Sequence, residues 1–222
     1  MSIIAENFEN LHKQIRRQET LSGREEGAVQ LVAVTKTQTA ENIEAALAGG
    51  HRLFGENKVQ EAQAHWAALK QKDTSIRLHL IGPLQTNKVK DAVALFDCIE
   101  TLDREKLALA LADEMKKQGR YVPCLIQVNT GEEDQKAGVS AKYLPEFLDY
   151  CRRECALQID GLMCIPPVSE PAGLHFAFLK ELAGRHNLKT LSMGMSGDFE
   201  RAIAAGATHI RLGTALFGAR AA

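Results

Sequence analysis

No stretch of this 222-residue chain is apolar for long enough to form a membrane-spanning helix. No block of Lys or Arg stands out. The 27 basic residues face 28 acidic ones, so the electrostatic footprint of a nucleic-acid-binding protein is missing. The five cysteines (98, 124, 151, 155 and 164) form no C-x-x-C pair and are odd in number. That argues against a disulfide frame and for reduced, buried thiols in a cytoplasmic protein. Cys151 and Cys155 stand one helical turn apart without a nearby histidine to complete a metal site, so no metal is expected. The amino terminus carries acidic residues among its apolar ones and has no small-residue cleavage site, unlike a signal peptide. No solenoid-like repeat recurs. The remaining composition, 45% hydrophobic and 25% charged, is that of a globular protein with ample core material.

Ile4, Phe8, Leu11 and Ile15 recur at helical spacing, so residues 1–22 predict an amphipathic helix packed on the rest of the domain. Leu31 begins the run LVAVTKTQT, whose four consecutive apolar residues predict a strand buried on both faces. Further strands are expected at Arg52–Phe54 (closing on Gly55-Glu56-Asn57), Ile76–Ile81, Asp97–Thr101, Tyr121–Asn129, Leu157–Met163, Thr190–Ser192 and His209–Leu212. Helical patterns separate them; Asp103 reads as an N-cap, and Thr130–Ser140 as a long polar loop. Eight strands at spacings near ~25 residues predict a single closed (β/α)₈ barrel over residues 1–222, with no room for a second folded domain.

Lys36 is a lone lysine where the first core strand stops. In parallel α/β folds chemistry gathers at the carboxyl ends of strands, and a lysine partly stripped of water there becomes a usable amine nucleophile. A solvated strand-end lysine is the plain alternative. The loops after strands seven and eight, SMGMSGDFE and Arg211-Leu212-Gly213-Thr214, offer glycines, hydroxyls and backbone N–H groups where barrels bind phosphate. Ser196 reads as the start of a helix there. If Lys36 holds an aldehyde cofactor with a phosphate tail, Arg211 can face its pyridine nitrogen and keep it unprotonated. The alternative is pairing with Asp198 or Glu200. His79 reads as a satisfied core histidine and Trp66 as core. Asn87-Lys88 lies either near the mouth or at a helix start. Lys136 reads equally as a second amine at the mouth or as a solvated loop lysine.

LVAVTKTQT, FGENKVQE, LHLIGPLQTNK, VNTGEEDQKAG, GLMCIPP and LSMGMSGDFERAIAAGATHIRLGTALFG together resemble the pyridoxal phosphate homeostasis proteins, from near residue 30 to the carboxyl terminus. The resemblance implies a fold-type III barrel like the amino-terminal domain of alanine racemase, binding pyridoxal 5'-phosphate. It implies that Lys36 forms the covalent aldimine, that Ser196, Gly213 and Thr214 hold the phosphate, that Arg211 faces the ring nitrogen, and that Asn57 lies near the cofactor. Lys58, Gln38 and Leu78 stand where that family commonly has tyrosine, lysine and tryptophan. The function implied is a cytoplasmic, monomeric carrier that buffers or delivers the cofactor to apo-enzymes without established catalysis. An amino-acid racemase is the alternative, though its second base is expected from a further domain that this chain lacks. A Schiff-base aldolase acting on a sugar phosphate is the third reading.

Overall fold

The computed structural model describes residues 2–133, 135 and 137–218. Nine strands are present among them: β1 (Gln30–Val34), β2 (Leu53–Glu56), β3 (Arg77–Leu80), β4 (Cys98–Leu102), β5 (Cys124–Asn129), β6 (Val139–Ser140), β7 (Ile159–Met163), β8 (Thr190–Ser192) and β9 (His209–Leu212). Eight pair in parallel in the order β4-β3-β2-β1-β9-β8-β7-β5, and β4 also pairs with β5. The sheet is therefore closed, as the spacing predicted. The helices are α1 (Ile3–Leu21), α2 (Ala40–Ala48), α3 (Val59–Lys72), α4 (Val89–Leu95), α5 (Glu105–Gln118), α6 (Leu144–Asp149), α7 (Ala172–Arg185), α8 (Phe199–Ala205) and α9 (Thr214–Phe217).

The apolar run of β1 is used on both faces. Leu31 and Ala33 join the core beneath the helices. Val32 is fully buried and lies so near Gly55 that a β-carbon on that glycine would come within 2.9 Å of it. Helix α1 buries Ile4, Phe8, Leu11 and Ile15, each contributing about 1.5–3 kcal/mol. It also ties down its neighbours by hydrogen bonds. Asn7 Nδ2 donates to Leu216 O of α9 at 2.8 Å. The buried Glu19 carboxylate accepts from Val29 N at 2.8 Å, fixing the entry to β1.

Some of these expectations change. Strand β2 runs through Gly55 and Glu56 because both continue the ladder to β3, where they face His79 and Leu80. Strand β5 begins at Cys124, since Pro123 has no N–H for the ladder, although its carbonyl still accepts from Ile99 N at 3.1 Å. The loop after β5 contains the two-residue β6, which pairs with Val128 and Asn129. Gly138 permits that approach: its φ is 122°, and a β-carbon there would lie 2.6 Å from Asn129 N. Asp103 is not an N-cap. Arg104 occupies that position before α5, and the Asp103 carboxylate instead pairs with the Arg104 guanidinium at 2.6 Å.

Candidate functional site

The closed barrel places the carboxyl ends of its strands around one mouth. Lys36 follows β1 by two residues, Asn57 directly follows β2, Ser196 lies between β8 and α8, Arg211 is inside β9, and Gly213 and Thr214 follow β9. All six line one cavity of about 310 Å³. Val34, Ile81, Ile165 and Met195 give it apolar walls, and Gln38 adds an amide. Gly197 and Gly218 also line it, and a β-carbon on either would meet nothing within 4 Å, so the space beside them is open. A larger hollow, about 580 Å³, lies at the opposite end between α1 and the starts of β1, β2 and β3. Its polar side chains include some already engaged: Arg52 pairs with Asp73 at 2.8 Å, and His51 Nε2 meets Leu53 O at 2.6 Å. The lysine and the hydroxyls gather at the carboxyl end.

Ser196 is positioned differently from the sequence reading. Asp198 occupies the N-cap position of α8, and Ser196 sits in the turn before it. Its Oγ accepts from Ala215 N of α9 at 3.3 Å, so it joins the β8 loop to the β9 loop. The two candidate anion-binding loops are thus one continuous surface.

Arg211 is buried, yet neither Asp198 nor Glu200 is its partner. Its Nη1 donates to Ser192 Oγ at 2.7 Å and its Nη2 to Cys164 O at 2.9 Å. Behind Ser192 lies Glu100, fully buried, with Oε2 accepting from Ser192 Oγ at 2.5 Å and standing 3.9 Å from Arg211 Nη1. His79 Nδ1 meets the other oxygen of Glu100 at 2.7 Å, and the His79 ring lies 5.7 Å from that of His209. Burial alone would raise the Glu100 pKa; the hydrogen bond and charge of His79, with Arg211 and Ser192, hold it down at about 2. The half-buried His209 is pushed down too, to about 4, mainly by desolvation, which here favours the neutral ring. His79 is thus a satisfied histidine, but inside a charged network that aims Arg211.

The sequence reading missed Glu100. One signal was available: Glu100 stands in the strand CIETL, and a carboxylate in a buried strand needs a partner there. It also missed the groups around Lys36. Thr35 Oγ1 donates to the buried Glu56 Oε1 at 2.7 Å, and Thr37 N donates to Glu61 Oε1. Trp66 is core as read, but its Nε1 also donates to Glu56 at 3.0 Å. Asn87 and Lys88 form a 3₁₀ turn, Thr86–Lys88, and are not among the described residues lining the cavity. Lys58 is exposed before α3. Lys136 lies outside the described residues.

The family model described as alanine racemase, N-terminal domain, matches residues 7–221. Proteins named pyridoxal phosphate homeostasis protein from Vibrio alginolyticus and Pseudomonas aeruginosa are 42% and 41% identical to this chain; 99% of the chain is covered in both, with 99% and 97% of the relatives. PipY of Synechococcus elongatus has been solved without and with pyridoxal phosphate bound. The two structures superpose with TM-scores of 0.85 and 0.80 at 38% and 37% identity, covering 97% of this chain and all of theirs. An alanine racemase from Clostridium difficile superposes with a TM-score of 0.69 at 10% identity, over 95% of this chain and 57% of its own, a likeness of fold alone.

Proposed function

The chain belongs to the pyridoxal phosphate homeostasis protein family, and we propose that it binds pyridoxal 5'-phosphate at the barrel mouth and holds it for delivery. The observation that carries the reading is the convergence of Lys36, Asn57, Ser196, Arg211, Gly213 and Thr214 on one cavity. The donor set fits such a ligand: the amine of Lys36, the hydroxyls of Ser196 and Thr214 with open glycine-lined space for an anion, and the fixed guanidinium of Arg211, among apolar walls. When bound, the cofactor supplies an aldehyde, with which a neutral amine condenses to a C=N bond and releases one water.

The chain's residues divide the work. Lys36 offers its amine from a partly buried position at the end of a rigid strand. Ser196 and Thr214 offer hydroxyl donors to the phosphate, beside the backbone of Gly213. Arg211, anchored by Ser192, Cys164 and Glu100, would offer a fixed guanidinium to the ring nitrogen of such a ligand and disfavour its protonation. That favours holding over turnover. The cellular reading is a cytoplasmic monomer that passes cofactor to apo-enzymes. Five buried free cysteines suit a reducing compartment, and no helix among the described residues is long and apolar enough to cross a membrane.

Borohydride reduction of the loaded protein, followed by peptide mapping, should place a pyridoxyl group on Lys36. Label on Lys136 with Lys36 unmodified overturns the assignment. In the same preparation, cofactor should pass measurably to an apo-enzyme, while alanine racemisation stays near the rate of free pyridoxal phosphate.

A further inference from the structure

Lys36 sits in a turn that its own sequence does not favour. Gln38 N donates to Thr35 O at 3.0 Å, so Thr35–Gln38 closes as a four-residue turn with Lys36 and Thr37 at its centre. Thr37 has a φ of 60°. The left-handed region suits glycine at this position of a turn, and for a β-branched residue it is strained. Such strain persists only where the surroundings over-determine it, and the surroundings here are two carboxylates.

On one side of the lysine, Thr35 is held twice: its N donates to Gly55 O at 3.0 Å, and its hydroxyl donates to Glu56 Oε1 at 2.7 Å. Glu56 is itself fixed, fully buried, by Trp66 Nε1 at 3.0 Å and His65 Nδ1 at 3.3 Å. On the other side, the exposed Thr37 gives its backbone N–H to Glu61 Oε1. Glu61 and His65 are one turn apart on α3, and the donor atoms of Glu56, Glu61 and His65 lie within 4.8 Å of one another. The bracket is therefore carried by the end of β2 and the first turns of α3, not by the loop that contains the lysine.

We propose that Glu61, acting with Glu56, is a positioning residue for Lys36: the two carboxylates grip the residues on either side of it and hold the strained turn that aims its side chain into the cavity. This inference rests on the reading of Lys36 as the cofactor lysine. A carboxylate on the Thr37 N–H makes a charge-assisted hydrogen bond, among the stronger neutral-donor contacts available to a backbone. Without it, Thr37 can relax to negative φ by rotating the peptide between Lys36 and Thr37. That rotation turns over the Lys36 carbonyl and the Thr37 N–H and loosens the turn that carries the lysine, while leaving strand β1 in place.

The test uses the full chain with Glu61→Ala, with Glu61→Asp (which keeps the charge but shortens the reach), and with the double change Glu61→Ala plus Thr37→Gly. Glycine takes a φ of about +60° without strain, so it should make the carboxylate dispensable. Three readouts are taken: Lys36 labelling by borohydride at a fixed, limiting pyridoxal phosphate concentration, the titration of the visible band of the covalent adduct, and hydrogen exchange at the Thr37 amide without cofactor. Glu61→Ala should weaken apparent cofactor binding roughly tenfold, the lower end for a lost hydrogen bond to a charged group. It should also speed Thr37 amide exchange by a similar factor. Glu61→Asp should fall between it and the unmodified chain. The double change should bring labelling back to within about threefold of the unmodified protein, a recovery that a purely structural role for Glu61 does not produce. Unchanged labelling and unchanged Thr37 exchange in Glu61→Ala overturn the proposal, as does a loss that Thr37→Gly fails to repair. If the unmodified protein carries no label on Lys36, the cofactor-lysine reading has failed instead, and the Thr37 exchange rates still decide whether the bracket exists.

Discussion

Glu100 is kept as a carboxylate in surroundings where burial by itself favours the neutral acid. Its two oxygens are met by His79 and Ser192, and Arg211 stands 3.9 Å away. Removing one charge from such a group leaves the other buried without compensation, which costs about 3–5 kcal/mol, whereas the pair as a whole contributes far less. Glu100→Gln keeps the shape and deletes only the charge. We expect it to destabilise the protein by about 3 kcal/mol, a fall in thermal midpoint of roughly 6–12 °C for a chain of this size. Arg211, freed from its anchor, should also bind cofactor less well. A variant that melts with the unmodified protein would mean that the carboxylate is not what holds Arg211.

At the scale of elements, the site depends on how tightly adjacent strand ends approach. Gly82 follows β3 and abuts the backbone of Asn57 after β2; a β-carbon there would lie 2.3 Å from Asn57 O and 2.7 Å from its Cα. Both are backbone atoms and cannot swing away as a side-chain tip can. Gly82→Ala should therefore displace Asn57, lower stability by about 1–3 kcal/mol and weaken pyridoxal phosphate binding. Gly184 in α7 is the control, since a β-carbon at that position meets nothing within 4 Å. Gly184→Ala should raise the melting temperature slightly, by the equivalent of about 0.5–1 kcal/mol, and leave binding alone. Equal cofactor affinity in Gly82→Ala and the unmodified chain would show that Asn57 does not need this contact.

For the whole molecule, the buried titrating groups set a dependence of stability on pH. His51 lies between the rings of Phe8, at 4.8 Å, and Phe54, at 5.1 Å. Burial is the main reason that its pKa falls to about 4; His209 falls to about 4 for the same reason. Both are neutral in the fold, so the unfolded chain binds protons between pH 6.5 and 4 that the native state refuses. Stability is then full above pH 6.5 and falls as pH drops toward 4, by up to roughly 3 kcal/mol for each histidine. Glu100, at about 2, adds a second loss: its contribution is complete above the ordinary carboxylate value of 4.5 and disappears as pH falls toward 2. Urea midpoints measured from pH 7 to 4.5 should decline, and more gently in His51→Gln. A flat series over that range would contradict the assigned burial effect.

Much of this architecture could be read from local pattern, because the pattern follows from burial. A strand covered on both faces must be apolar throughout, as in Leu31–Val34. A helix lying on the barrel must show one apolar stripe, as Ile4, Phe8, Leu11 and Ile15 do. Eight such units in order leave closure as the arrangement that buries every strand, and the ends of β8 and β9 were located to the residue. Lys36, Ser196, Arg211, Gly213 and Thr214 were legible as candidates because loops at strand ends converge in any such barrel. The partners of those residues were not. Glu100 meets Ser192 across 92 positions of chain, Arg24 reaches Ala207 across 183, and Glu56 and Glu61 meet Thr35 and Thr37 only because β2 and α3 return beside β1. Spacing along a chain carries no record of which charge will face which once the sheet closes. Tertiary structure therefore decided that Arg211 leans on Glu100 instead of Asp198, that Ser196 joins α9 instead of capping α8, and that two carboxylates bracket the turn that carries Lys36.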